Sequence, residues 1–352
     1  MFYFIFNEPR QIKQFRVDSL SRFLQLISDG GELYTSFKNE FFHRPETVDR
    51  DNESGYKTII AEKEEALKYE FARYISKDKQ LEDINAIFEI FYRGVADVNY
   101  QTIPSAYRGN NQKYENRFIN DIRVSNPDFV QGKTYIDELS ALQHYWCPTR
   151  LLDLTRNPLV ALYFACADVL EPNHKATDGA VLFFLAKEED ILHSNSDKVL
   201  ILTALSHLSE THKQQLFGIC DSEIRLNGKN AKLNGPKITT KTSVKKLYQE
   251  ILRVTNFDKE ILCMDLLQSF YVQPAYNNLR IRAQSGLFLI NGLSGSIREC
   301  EMRNENKIFA KIIIPYANKR KILADLDQVG ISNRTLFPEI EDTVKYLKNK
   351  YK

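Results

Sequence analysis

The chain has 352 residues, of which 43% are hydrophobic, 12% aromatic and 27% charged, with a formal net charge of +2. That is enough apolar material for one large core or two ordinary ones, and it excludes a disordered polyelectrolyte and a protein recruited to polyanions by its overall charge. The five cysteines form no C-x-x-C pair, the six histidines show no metal-ligand spacing, no apolar run reaches 18 residues, and MFYFIFNEPR lacks the basic start of a secretory signal. The expectation is a soluble, cytoplasmic protein with free thiols and no structural zinc.

In chain order, MFYFIF reads as a short strand. VDSLSRFLQLISDGG reads as a helix, capped by Asp18 or Ser19, with apolar residues at Leu20, Phe23, Leu24 and Ile27 and a stop at Gly30. EKEEALKYEFARYIS is a second helix with its acids early, as the helix dipole prefers. IFEIFYRG is a strand, NQKYENRFINDIRVSNPDF a helix stopped at Asn126-Pro127, YIDELSALQHYW a helix, and TRLLDL extended or turn-like. NPLVALYFACADVL is a helix with Asn157 as cap and Pro158 at its first position. GAVLFFLA is a buried strand, Lys198 to Tyr271 is mostly helical with a loop near 226–242, and GLFLING and KIFAKIIIPY are strands. Two helices close the chain, Asn318 to Gln328, ended by Gly330, and roughly Pro338 to Lys350. Strands and helices do not alternate strictly, which predicts an α+β protein with a mixed or antiparallel β core. Residues 1–85 are expected to form a helical part packed on a core that runs from 86 to 352, with a helical insertion at about 195–270.

Three polar clusters stand out, and each admits a structural as well as a functional reading. In FYRGVADVNYQTIPSAYR, Arg93 ends an apolar strand and Gly94 follows, so a guanidinium fork and an accessible backbone could meet a phosphate or carboxylate. The alternative is an ion pair beside a turn. In PTRLLDLTRN, Thr149 to Asn157 precede a helix N-terminus, where unpaired N–H groups attract anions, or where an N-cap network with a salt bridge of Asp153 to Arg150 or Arg156 would suffice. In YVQPAYNNLRIRAQSGLFLING, Arg280, Arg282 and Gln284 share one face if the segment is extended, either at a site or on a solvated edge. His144 could act as a base or simply pack and cap. Arg225 to Lys246 holds one Arg, six Lys and no acid, and reads as a solvated loop or a nucleotide-contacting patch without aromatic stacking residues.

Taken in this order, the clusters resemble the FRG domain family. Tyr92-Arg93-Gly94, followed by Pro104-Ser105 and Arg108, is similar to the motif that names the family. LQHYWCPTRLLDLTRNPLVALYFA resembles its longest block, NNLRIRAQSGLF its third, and ILADLDQVGISNRTLFPEIE its C-terminal close. The resemblance runs from about residue 16 to the end and is loosest between 195 and 260. Trp146 stands where the pattern has glycine, and an indole there would narrow a pocket or fill a groove. Many members of the family lie in bacterial mobile or defence contexts, which implies a phage-defence or toxin–antitoxin setting, with a protein, a nucleic acid or a defence-system component as partner and no membrane.

A more distant resemblance is to ADP-ribosyltransferases of the Arg–Ser–Glu type, carried by Tyr92-Arg93-Gly94 and by Pro148-Thr149-Arg150 ahead of Ala161-Leu162-Tyr163-Phe164-Ala165. It implies that fold and NAD as substrate. Arg93 would hold the ribose and pyrophosphate, the Gly94 backbone the nicotinamide amide, and Thr149 the pocket wall. Tyr92, Arg150, Thr155, Arg280 and Arg282 would complete the cofactor contacts. Gln284 falls near the place of the catalytic Glu, and an amide cannot offset the charge of an oxocarbenium-like ribose. Asp153 is then the nearest acid, and the alternative is a nucleotide- or partner-sensing module without turnover.

Overall fold

The computed structural model describes residues 12–28 and 88–351, apart from 110, 172–174, 234–235, 277, 340–343, 345–346 and 349–350. The first half of the elements runs β1 (Lys13–Arg16), α1 (Leu20–Ile27), β2 (Phe88–Val95), α2 (Asn111–Ser125), α3 (Pro127–Val130), α4 (Tyr135–His144), β3 (Leu151–Thr155), α5 (Pro158–Cys166), β4 (Gly179–Lys187) and β5 (Ile191–His193). The second half runs α6 (Asp197–Ala204), α7 (Glu210–Asn227), α8 (Pro236–Thr239), α9 (Thr242–Leu252), α10 (Cys263–Leu267), β6 (Ser269–Gln273), α11 (Leu279–Ala283), β7 (Gly286–Asn291), α12 (Ile297–Glu305), β8 (Ile308–Ile314), α13 (Tyr316–Gln328) and α14 (Asn333–Leu336).

One eight-stranded mixed sheet has the order β1-β8-β4-β2-β3-β7-β6-β5. Its two edge pairs, β1 with β8 and β5 with β6, are parallel, and the six central strands pair antiparallel. The many helices and the mixed, mostly antiparallel sheet agree with the expected mixed or antiparallel β core of an α+β protein. The middle of the sheet is a seam. β2 pairs with β4 along its whole length, from Phe88↔Lys187 to Val95↔Ala180, but meets β3 only at Tyr92↔Thr155. Freed there, the two halves of the sheet bring their inner faces together. Phe91 of β2 meets Tyr271 of β6 with ring centroids 5.1 Å apart, and the Tyr271 hydroxyl donates to the Leu185 carbonyl of β4 at 3.0 Å. Leu152, Leu154, Leu182, Phe184, Leu287 and Leu289 fill the space between the halves.

The outer faces are covered by helices. α1, α5 and α13 pack on β2, β4 and β8 around Phe23, Leu162, Phe183, Ile312 and Ile322. α4, α6, α7, α9 and α10 pack on β3, β6 and β7 around Leu139, Leu202, Leu247, Phe270 and Ile290. α5 needs unusually close contact with the sheet. A Cβ on Gly94 would run into the Ala161 carbonyl oxygen, and one on Gly179 into that of Ala165. Small residues at 161 and 165 share one helix face and seat the helix on these two glycines. The start of α5 is as the sequence predicts: Asn157 Oδ1 accepts from Leu159 N at 2.9 Å, and Pro158 follows.

Some expectations need revision. The segment expected to present Arg280, Arg282 and Gln284 from a strand is the helix α11, which Asn278 caps by accepting from Arg280 N at 2.8 Å. At helical spacing Arg280 and Gln284 share a face and Arg282 does not. β6 begins at Ser269, so the helical region ends before Tyr271, and residues 226–242 include the end of α7 and all of α8. Ser19, not Asp18, accepts from the helix backbone at the start of α1, which stops at Ile27. The MFYFIF strand and the EKEEALKYEFARYIS helix lie outside the described residues, as does most of the expected 1–85 unit. Its described part adds β1 to an edge of the main sheet. Among the described residues, no helix is long and apolar enough to cross a membrane.

Candidate functional site

Arg93 occupies the seam. Beyond the Tyr92↔Thr155 bridge the strand ladder stops, and Arg93 Nη1 crosses the gap to donate to the Asp153 carbonyl at 2.6 Å. Its Nε is sealed from solvent and has no hydrogen-bond partner. Burial pushes the guanidinium down to about 10; Asp153 opposes that shift, and neighbouring Arg108 adds to it. The residue is half-buried as a whole, so the sealed Nε is the telling atom. A buried donor without an acceptor is uncommon, and a charged one is costly. Arg108 itself donates to the Ile103 carbonyl at 3.2 Å, from the turn that holds Pro104 and Ser105.

That turn anchors the residue expected to line the pocket. Ser105 Oγ accepts from Thr149 N at 3.1 Å, and Ala106 N donates to the Thr149 carbonyl at 3.0 Å. Thr149 is fully buried, so it positions its neighbour. Its hydroxyl donates to Gln143 Oε1 at 2.8 Å, which turns Gln143 Nε2 toward Asp153 Oδ2 at 2.7 Å. A hydroxyl that donates to the amide oxygen leaves only one amide orientation possible. The Asp153 carboxylate is thus aimed by Gln143 while the residue stays exposed.

Thr155, on the same face of β3, ties in the third cluster. Its Oγ1 donates to the Gln284 carbonyl at 2.7 Å and accepts from Asn157 N at 3.0 Å. The Gln284 side chain donates to the Leu336 carbonyl at 3.1 Å. One turn earlier, Arg280 lies over the Phe337 ring, 4.5 Å from its centroid, and faces His144 Nδ1 at 3.3 Å. Arginine only donates, so Nδ1 accepts and the neutral ring carries its proton on Nε2, which faces Glu339 Oε1 at 3.7 Å. The polar groups form a closed circuit through Gln143 and His144 of α4, β3, α11 and the segment after α14.

The structure therefore brings together Arg93, Thr149, Asp153, Thr155, Arg280 and Gln284, directly or through Gln143 and His144. Other expected contacts lie elsewhere. Arg150 is 1% exposed and points into the core, where Nε and Nη2 pair with the two oxygens of Glu115 at 2.9 and 2.6 Å, and Nη1 donates to the Asn291 carbonyl. Lys213 adds a second cation on Glu115 at 2.5 Å. Tyr92 faces α5 with its ring edge-on to Phe183. Gly94 admits helix α5 and leaves no open approach from that side. Arg282 is exposed on the far side of α11. Arg156 pairs with Glu89 and Gln273 rather than Asp153. Trp146 fills no groove, because its side chain is held out in solvent. The basic stretch is partly compensated by Arg225–Asp221 and Lys232–Glu260 pairs.

Gln143 and Glu339 are additions to the expected set, and His144, read from the sequence as a base or a packing and capping residue, holds Arg280 and faces Glu339. Gln143 and His144 stand at the C-terminal turn of a predicted helix, immediately ahead of the PTR block, and this was the readable signal. Glu339 lies 55 residues beyond Gln284, and no local pattern marks it.

No curated protein and no solved structure matches the chain. A family model does match, the FRG domain, over residues 89–174. Arg93, Gln143, Thr149 and Asp153 all fall inside that stretch, so the seam and its supports belong to the matched unit, and the chain carries an FRG domain.

Proposed function

We propose that the seam binds an anionic nucleotide, with NAD as the substrate, and that the protein cleaves the nicotinamide–ribose bond to modify a macromolecule or to hydrolyse the dinucleotide. The observation that carries this reading is the Arg93 guanidinium, which has one carbonyl partner, a sealed Nε without a partner, and a second guanidinium beside it. A phosphate would meet the part of this fork that the half-buried side chain leaves accessible, not the sealed Nε, and guanidinium groups favour phosphate oxygens. Asp153 is the acid for the chemistry: its carboxylate is exposed and aimed by Gln143. As the bond to nicotinamide breaks, the electron pair leaves with the ring and positive charge grows on the ribose, and a fixed carboxylate stabilises that charge. The block order resembles that of ADP-ribosyltransferases, which supports NAD as the ligand, although it puts Gln284 and not Asp153 near the place of their glutamate.

The test is NAD consumption by purified protein, wild type against Arg93→Ala and Asp153→Asn. Both variants should lose at least about 100-fold in rate. Wild-type protein that neither consumes NAD nor is stabilised by it against heat would end the reading. A second reading, a nucleotide-sensing module without turnover, is favoured by Gln284, whose amide is committed to Leu336. In that case NAD raises the unfolding temperature of wild-type protein and is not consumed.

A further inference from the structure

Helix α4 ends in a left-handed turn. Trp146 N donates to the Gln143 carbonyl at 3.0 Å, Cys147 N donates to the Leu142 carbonyl at 3.1 Å, and Trp146 itself has φ 64°. This backbone position favours glycine, because a Cβ there crowds the following carbonyl. The residue that holds it is the chain's one tryptophan, and its side chain is 89% exposed. Its neighbour Tyr145 packs its ring on Phe129 and His144, with centroids 5.5 and 4.9 Å away. Among the described residues, the indole has no such partner. A bulky residue in a strained conformation, with its apolar surface in water, contributes nothing visible to the fold.

Its location is fixed all the same. Gln143, to which Trp146 is hydrogen bonded through the backbone, reaches Thr149 and Asp153 with its side chain, and His144 reaches Arg280. The turn is pinned beside the polar circuit on both of these contacts. We infer that Trp146 is a stacking platform for the nucleobase of the ligand whose phosphates Arg93 holds. The inference rests on the nucleotide reading above and adds a residue that distinguishes a base-bearing ligand from a bare phosphate. An indole face stacks on any base and needs no hydrogen-bond readout, while the guanidinium takes the phosphate.

The experiment compares wild type, Trp146→Gly and Trp146→Phe. Binding of NAD, which carries bases, is measured beside binding of inorganic pyrophosphate, which carries none. NAD should quench the fluorescence of the single tryptophan. Trp146→Gly should bind NAD about tenfold more weakly and pyrophosphate unchanged, and Trp146→Phe should fall between. Trp146→Gly should also raise the unfolding midpoint by about 2–4 °C, as relief of the left-handed strain requires. Equal NAD affinity in wild type and Trp146→Gly, or an equal loss for pyrophosphate, overturns the stacking role alone. Wild-type protein that binds neither probe overturns the nucleotide reading as well.

Discussion

Arg93 and Arg150 are two arginines of one domain, and their surroundings are opposite. Arg150 is deep in the core and its donors are answered by a two-pronged pair with Glu115 and by the Asn291 carbonyl, although Lys213 shares the same carboxylate. Arg93 stands where two strands part, with one carbonyl and an unanswered Nε. Charge compensation, not depth of burial, separates the structural cation from the one suited to a ligand. Both lie in short motifs, FYRG and PTRLLDLT, but Arg93 does not end its strand as the sequence suggested, since β2 runs on through Gly94 to Val95, and Arg150 immediately precedes β3.

The sharpest break of this comparison is stability. Arg150→Ala strands Glu115 and Lys213 in the core and should cost about 3–5 kcal/mol, enough to abolish folding in a marginal background. Arg93→Ala loses one hydrogen bond and an uncompensated charge, and should cost about 1 kcal/mol or less. Urea denaturation of both variants decides it, and equal losses would erase the distinction.

Acid should dismantle the compensated cluster next. Burial works against the Glu115 carboxylate, but Arg150 and Lys213 overcome it and hold the group down to about 2 from its ordinary 4.5. Because the folded value is the lower one, this contribution is complete above pH 4.5 and is lost as pH falls toward 2. Its size is on the order of 3 kcal/mol. His207 acts in the same direction at milder pH. Burial pushes it down to about 3 from 6.5, so the unfolded chain takes up a proton that the folded chain refuses, and stability falls as pH drops through that range. Unfolding free energy measured from pH 7 to 3 should fall steadily, and Glu115→Gln should flatten the part of the curve below 4.5.

A smaller effect is expected at the site. Gln143→Leu leaves the buried Thr149 hydroxyl without its acceptor and releases the Asp153 carboxylate. It should cost about 1–3 kcal/mol of stability and should lower NAD turnover more than NAD affinity. A loss in affinity alone would remove Asp153 from the chemistry. The smallest effect belongs to the segment after α14. Glu339→Gln removes one partly exposed partner of His144 and should change stability by about 1 kcal/mol or less.

The sequence was most readable where local chemistry decides the structure. Asn157-Pro158 starts α5, Asn126-Pro127 stops α2, Gly330 follows α13, and the apolar runs at 179–187 and 308–314 are β4 and β8. It misled where tertiary contacts decide. Alternation in NNLRIRAQ suggested a strand, but Asn278 caps a short helix there and Ile281 alone turns inward. SFYVQ was absorbed into a helical region, although β7 recruits it as β6. Gly94 looked like a door for ligand and is the seat of α5, because only the folded chain brings Ala161 to it. Arg93, Thr149, Asp153, Thr155, Arg280 and Gln284 are joined in one network, but Thr149 is wholly buried and the Gln284 amide turns to Leu336, so the side chains at 149 and 284 do not line an open hollow with Arg93. Arg150 stays outside that network, since one residue's step along a strand turns a side chain to the other face.

The central claim is that Arg93 is an anion-binding cation left uncompensated by the fold. Calorimetric titration of NAD into wild type and Arg93→Ala, after confirming that both are folded, tests it most directly. The account predicts saturable binding to wild type that weakens with added salt, and a loss of at least about tenfold in the variant. Equal affinity in the two proteins would contradict it.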